Sequence, residues 1–216
     1  MRIAIIGTGA VGTALAAGLT RSGHEVVFGS RDPHAARVAD LAAACGARVA
    51  APADAAAEAD IVVLALPWRA LAEATAALGD LAGRIVIDCS NPLGMVDGAL
   101  GLTLGYETSG GETVQRLLPT ARVVKTLNQV GAEIMADPSG LPVRPVMFMA
   151  GNDPAAKEAV AGLLQEIGFA PLDAGDISLS RLLEPFGMLW INQALRRGKG
   201  RHWAFAAIDR PEGHRP

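Results

Sequence analysis

Three glycines, Gly7, Gly9 and Gly12, follow at once on the apolar run Ile3-Ala4-Ile5-Ile6 and open a stretch with Val11, Ala14, Leu15, Gly18 and Leu19 at helical spacing. A glycine pattern of this kind is common in loops, but a buried strand before it and a helix after it give it a specific chemistry. Gly7 would make the tight turn, Gly9 would let a pyrophosphate approach the backbone, and Gly12 would let helix and strand pack closely. The helix start contributes unpaired N–H groups and the positive end of its dipole, so its natural ligand is a diphosphate.

Four further turns hold residues able to do chemistry. Phe28-Gly29-Ser30-Arg31-Asp32-Pro33 follows the second apolar run. A site selective for NAD usually ends this strand with a carboxylate for the adenosine ribose, whereas Ser30 and Arg31 offer a hydroxyl and a guanidinium fork suited to a 2′-phosphate. This favours NADP, although Arg31 could also stack on adenine or pair with Asp32. Leu66-Pro67-Trp68 places an indole where it could wall a cofactor cleft or pack a helix. In Asp88-Cys89-Ser90-Asn91-Pro92, Asn91 could bond the cofactor or simply start a turn. In Lys125-Thr126-Leu127-Asn128-Gln129 polar side chains crowd a strand end, making Thr126 and Asn128 the candidates for the acceptor side of the site. Strand alternation sends Lys125 and Thr126 to opposite faces, so Lys125 is expected to snorkel through a helix layer rather than act as an acid.

Elsewhere there is no paired histidine and carboxylate at strand ends, no nucleophile elbow and no phosphate-binding lysine of the P-loop type. Direct hydride transfer needs none of these. It needs a nicotinamide held about 3–3.5 Å from its acceptor in a dry, oriented stack. The four histidines are scattered and Cys45 and Cys89 lack metal-ligand spacing, so no metal is expected and both thiols read as buried.

The elements that must position these turns follow from periodicity. Apolar runs of four to six residues alternate with Ala/Leu-rich helical stretches, the pattern of a parallel sheet covered on both faces. Strands are predicted at Arg2–Ile6, Glu25–Gly29, Ala47–Ala50, Ile61–Ala65, Arg84–Asp88, Arg122–Thr126, Val143–Ala150 and Ala170–Asp173. Helices are predicted at Ala10–Ser22, Pro33–Cys45, Ala53–Glu58, Arg69–Leu78, Glu112–Leu118, Asp153–Ile167 and Ile177 to about Arg196, with Pro185 kinking the last. Residues 91–111 read as an irregular loop, and the strand from 122 as the start of a second, partial mononucleotide unit. The fold class is therefore α/β, a Rossmann-type doubly wound, mostly parallel sheet with a C-terminal helical extension. Residues 1–175 form the NADP-binding unit and 176–216 the extension.

With 216 residues, 50% hydrophobic and 19% charged, the chain supports one substantial core. A net charge of −3 with dispersed basic residues argues against nucleic acid as a partner. No run is long enough to span a bilayer and the start has no signal-peptide layout, so a cytoplasmic protein is expected.

The Gly7–Gly12 turn, Gly23-His24-Glu25-Val26-Val27, Gly29-Ser30-Arg31, Leu66-Pro67-Trp68, Pro171-Leu172-Asp173-Ala174-Gly175 and Ser180-Arg181-Leu182-Leu183-Glu184 together resemble the F420:NADP oxidoreductase family. The likeness spans almost the whole chain and is far more specific than the glycine turn alone. It implies an NADPH-dependent oxidoreductase with coenzyme F420 or a flavin as hydride acceptor. Carried over by position, it implicates Thr8, Gly9, Ala10 and Val11 at the diphosphate, Ser30 and Arg31 at the 2′-phosphate, and Leu66 with Trp68 along the cleft. Two positions depart from the family pattern. His34-Ala35-Ala36 stands where a basic residue is usual, and Lys125-Thr126-Leu127-Asn128 resembles the Lys-Ala-Phe-Asn version of less characterised relatives and of membrane metalloreductase domains. The alternatives are a non-catalytic NADP sensor, or a reductase of a small carbonyl or imine with a site shared between subunits. The resemblance also implies a homodimer. The helix from Ile177 carries Leu179, Leu182, Leu183, Phe186, Leu189, Trp190, Gln193 and Ala194, a wide apolar face for a second copy or for its own sheet.

Overall fold

The computed structural model describes residues 1–210. In chain order its elements are β1 (Arg2–Ile6), α1 (Ala10–Arg21), β2 (Glu25–Gly29), α2 (Ala36–Cys45), β3 (Arg48–Ala50), α3 (Pro52–Glu58), β4 (Ile61–Leu64), α4 (Leu71–Ala76), β5 (Ile85–Asp88), β6 (Leu93–Val96), β7 (Ala99–Leu102), α5 (Gly110–Leu117), β8 (Arg122–Lys125), α6 (Ala132–Ala136), β9 (Val146–Gly151), α7 (Pro154–Glu166), β10 (Ala170–Gly175) and α8 (Ser180–Leu195). Short 3₁₀ turns at Trp68–Ala70 and Ile177–Leu179 lead into α4 and α8.

Eight strands form one sheet in the order β10-β9-β8-β5-β4-β1-β2-β3. The six from β3 to β8 are parallel, and β9, paired antiparallel to β8, is followed in parallel by β10. This is the Rossmann arrangement with two reversed strands added. The order reverses between β1 and β4, so the second mononucleotide half begins at β4, earlier than the expected start at residue 122. Strand alternation sorts the interior into two layers. Ile3, Ile5, Val26, Phe28, Ile61, Val63, Ile85, Ile87 and Val124 face α1, α6 and α7. Ala4, Ile6, Val27, Val62, Leu64, Val86 and Val123 face α3, α4 and α5.

Residues 91–111 are not irregular throughout. β6 and β7 form a separate antiparallel hairpin across Asp97-Gly98, both at positive φ, the signature of a two-residue turn that matches strand twist. Its ends are tied down by Thr103, whose N–H and hydroxyl both donate to the Pro92 carbonyl, and by Arg196, which donates to the Leu100 carbonyl. The strand expected from Val143 starts at Val146, after Pro145, which has no N–H to give a ladder. α8 runs unbroken from Ser180 to Leu195 with Pro185 inside it. Its apolar residues divide: Leu183, Trp190 and Ala194 are buried, while Leu182 and Leu189 are 63% and 48% exposed. The following segment folds back on the same molecule. Trp190 donates its indole N–H to the Trp203 carbonyl, the Phe205 carbonyl accepts from Val146, and Phe148, Phe186 and Phe205 form a ring cluster. Residues 211–216 of the expected C-terminal extension lie outside the described residues.

Candidate active site at the carboxyl edge of the sheet

The three glycines of the first turn differ in what a side chain would meet. Gly7 has φ +122°, and a Cβ there would lie 2.3 Å from the Ala65 carbonyl oxygen, so the turn is pressed against the end of β4. A Cβ on Gly12 would sit 2.1 Å from the Gly7 carbonyl oxygen. At Gly9, the N-cap of α1, nothing lies within 4 Å of that position, and no side chain caps the helix. The first turn of α1 carries no acidic residue, and Thr8 and Val11 are half-buried beside the exposed Gly9 and Ala10. The result is a bare, positively polarised helix start open to an anion.

At the end of β2, Gly29 sits where a Cβ would meet Ile6 Cδ1 at 2.6 Å, so the strand end lies tight on its neighbour. The Ser30 hydroxyl donates to the Asp32 carbonyl and accepts from the Asp32 N–H, closing the turn that presents residue 31. Arg31 is exposed and makes no hydrogen bond or ion pair among the described residues, Asp32 included. After β4, Leu66 packs toward Gly7, Pro67 is exposed and Trp68 is half-buried against the α3–α5 layer. A Cβ on Gly110 would be 3.2 Å from Trp68 Cζ3 and 2.8 Å from Glu184 Oε1, so indole and carboxylate converge on the first residue of α5.

The ends of β5 and β8 are bound to each other and to α8. Asn91 donates to the Asn128 carbonyl, and the Asn128 amide donates to Asn91 Oδ1 and to the Leu183 carbonyl. Gln129 donates to Asn128 Oδ1 and exchanges two further bonds with the Phe148 backbone. Thr126 donates its hydroxyl to the Phe148 carbonyl and is wholly buried. The polar groups of Thr126 and Asn128 thus make internal hydrogen bonds at the strand ends. Leu127 between them has φ +58°, a conformation that costs a non-glycine residue about 1–2 kcal/mol, offset here by the bonds on either side.

Lys125 corrects an expectation. It enters a helix layer but does not snorkel: it is 0% exposed. Its ammonium donates to Asp88 Oδ2 at 2.9 Å, to the Ser90 carbonyl at 2.6 Å and to Glu184 Oε1 at 3.0 Å. Asp88 and Lys125 are partners in the β5–β8 register and share a face, and Glu184 arrives from α8. Burial alone would push the lysine down, but the two carboxylates outweigh it and hold the ammonium above the usual lysine range. Glu184 also accepts from the N–H groups of Gly110 and Gly111, both at 3.0 Å, at the positive end of α5. None of Asp88, Gly110 or Glu184 was among the candidate site residues. Opposite charges closing two adjacent apolar strands were the signal available for the first pair. Cys89, next to Asp88, is buried, and burial followed by the Asp88 charge pushes its thiol far up, away from any thiolate chemistry. Among the described residues no cluster of histidine, cysteine, aspartate or glutamate could hold a metal ion.

A family described as NADP oxidoreductase, coenzyme F420-dependent, matches residues 2–92. An F420-dependent NADP reductase of Methanothermobacter thermautotrophicus is 32% identical over 91% of this chain and 90% of its own length. The chain belongs to this family. It is accordingly an NADP-dependent oxidoreductase with a Rossmann-like sheet. Within the same frame, a crystal structure from Arthrobacter sp. FB24, provisionally named an F420-dependent NADP reductase, superposes with a TM-score of 0.89 at 38% identity, covering 97% of this chain and 100% of that one. The metalloreductase STEAP3 of Rattus norvegicus is 30% identical over 85% of this chain, which spans 36% of that relative's length. A reductive aminase from Aspergillus terreus shares the fold, with a TM-score of 0.67 at 23% identity. Among the described residues of this family member, no helix is long and apolar enough to cross a membrane.

Proposed function

We propose that the protein transfers a hydride between NADP(H) and a planar acceptor, coenzyme F420 or a flavin. The observation that carries the cofactor half is the open Gly9 approach on α1 together with an exposed Arg31 at the end of β2, which has no partner among the described residues. Residues 1–175 would hold the cofactor: Gly7, Thr8, Gly9, Ala10, Val11 and Gly12 at the diphosphate, Ser30 and Arg31 at the 2′-phosphate, and Leu66, Pro67 and Trp68 along the cleft. Asn91 would hold the strand-end loop beside it. NADPH supplies the hydride when bound. The chain's own contribution is to orient the cofactor and keep water from the reacting end, because the polar side chains of Thr126 and Asn128 are spent on internal bonds. The names of the Methanothermobacter relatives favour F420 over a flavin.

Residues 176–216 would cover the site and pair two copies, since Leu182 and Leu189, two turns apart on one side of α8, are left exposed. The test of function is NADPH oxidation, followed by absorbance, with F420, FMN and FAD offered separately. F420 is expected to be reduced fastest. Tight NADPH binding with no oxidation by any acceptor would refute hydride transfer to a planar acceptor and point to an NADP sensor.

A further inference from the structure

We propose that the buried cluster Asp88–Lys125–Glu184 is a positioning device that fixes α8 over the reacting end of the cleft, with Glu184 and Lys125 as positioning residues for the acceptor. The proposal rests on the hydride-transfer function above. Three observations converge on it. Glu184 is 1% exposed and ties one helix to three other elements: to β8 through Lys125, through that lysine to Asp88 of β5, and to α5 through two backbone N–H groups. Trp68, on the cofactor side, meets the same glycine whose N–H Glu184 accepts. The residue before it, Leu183, accepts from Asn128, and about one turn further along Gly187 leaves no room for a Cβ, which would lie 2.6 Å from the Asn128 carbonyl oxygen and 3.2 Å from Asn91 Oδ1. α8 is thus seated on the β5 and β8 loops at one place and against the Trp68 corner at another.

An apolar contact could supply the same cohesion at less desolvation cost, so a buried ionic cluster is weak ground for stability. What it adds is direction. All three protons of the ammonium and both oxygens of Glu184 have fixed partners, and sliding α8 along the sheet edge would break several bonds together. The two carboxylates exceed the one ammonium by a unit of negative charge, and the N-terminal end of α5 faces that excess.

Glu184→Gln tests this directly. Both glutamate oxygens face donors only, so the amide of glutamine has no acceptor in either orientation, while Lys125 and Asp88 stay paired and the core keeps its volume. With F420 as acceptor, kcat is expected to fall on the order of 100-fold, the scale of a misplacement of about 1 Å, with NADPH affinity within about threefold because the glycine turn and Arg31 are untouched. Glu184→Asp, which keeps every charge but draws the carboxylate back by one methylene from Lys125 and the Gly110 and Gly111 N–H groups, is expected to give the same split and serves if Glu184→Gln fails to fold. Arg181→Ala, which breaks only the α8–α5 ion pair with Glu112, is expected to retain most of kcat. Parallel losses in kcat and NADPH affinity, or equal kcat losses in Arg181→Ala and Glu184→Gln, would overturn the proposal. If the wild-type protein reduces no acceptor, the functional assignment fails instead, and amide exchange decides this one. NADPH should protect residues 126–129 and 183–190 in the wild type but not in Glu184→Gln, and identical protection in both would refute it.

Discussion

Adding one methyl group at Gly9 separates what the glycine turn does for the fold from what it does for the ligand. Gly9 has φ −84° and ψ −176°, open to any residue, and a Cβ there meets nothing within 4 Å. Two small terms oppose each other in the free protein. Lower entropy of the unfolded chain stabilises Gly9→Ala by about 0.4–1 kcal/mol. The poorer N-cap preference of alanine costs a similar amount, about 0.5–1 kcal/mol. The melting temperature should therefore move by less than about 2 °C, at roughly 2–4 °C per kcal/mol for a chain of this size. The methyl group stands where a diphosphate would approach the first N–H groups of α1. Losing one hydrogen bond to a charged group costs about 1.5–3 kcal/mol, so NADP should bind roughly 10- to 150-fold more weakly. Gly12→Ala is the contrast. Its Cβ, 2.1 Å from the Gly7 carbonyl oxygen, must force helix and turn apart by roughly 1 Å, an overpacking cost of about 1–3 kcal/mol. Thermal unfolding of the free proteins and titration calorimetry with NADP measure both effects. Equal destabilisation of the two free variants, or full NADP affinity in Gly9→Ala, would refute the division of labour.

Arg31→Ala should weaken NADP binding by about 1.5–3 kcal/mol and leave NAD binding nearly unchanged in the same calorimetric titration, because the guanidinium has no partner to lose among the described residues. Cys45 and Cys89 are both free and buried, and burial raises both thiols; a colorimetric thiol titration should find neither reactive in the folded protein and both reactive after denaturation. The Arg181 guanidinium hydrogen-bonded to Glu112 holds that carboxyl below its usual range, so its stabilising contribution is present above the ordinary glutamate pKa and lost as pH falls through the lowered value. Melting temperatures measured between pH 5 and pH 3, an interval around the roughly 4.3 of an unperturbed glutamate, should fall less steeply for Glu112→Gln than for the wild type. Leu189→Glu on the exposed side of α8 should shift sedimentation from dimer to monomer; a wild-type monomer would remove the assigned use of that face.

The sequence pattern located all eight strands of the main sheet: most carry short apolar runs rich in Val and Ile, a signal that needs no knowledge of neighbours, and the last, Ala170–Gly175, follows the Gly168 that closes α7. It did not find the β6–β7 hairpin, although Asp97-Gly98 between Val96 and Ala99 is a strong local turn signal. Gly94 and Gly101 dilute the apolar alternation there, and the hairpin lies outside the main sheet. α6 is only five residues long, too short to show a helical period. The start of α2 moved from Pro33 to Ala36 because Ser30 and Asp32 close a local turn first. On the site, the cofactor turns were legible because each is written in consecutive residues. The buried cluster was not. From one strand, Lys125 is a charge with nowhere to go but the surface. Its true surroundings depend on the β5–β8 register and on a helix that begins at Ser180. For the same reason Ser180–Glu184 identified the family without disclosing what Glu184 holds.

The anchoring of α8 also sets an order of assembly. During synthesis, Asp88, Gly110, Gly111 and Lys125 leave the ribosome well before Glu184, so the nascent sheet edge first exists with two amides and an ammonium lacking their final acceptor. Each unmet donor costs about 1–3 kcal/mol if buried, which keeps that edge open to water until the late helix arrives. Maturation of the cleft is thereby made conditional on translation past residue 184. A nascent chain arrested before that point can build most of a nucleotide-binding sheet but cannot close it.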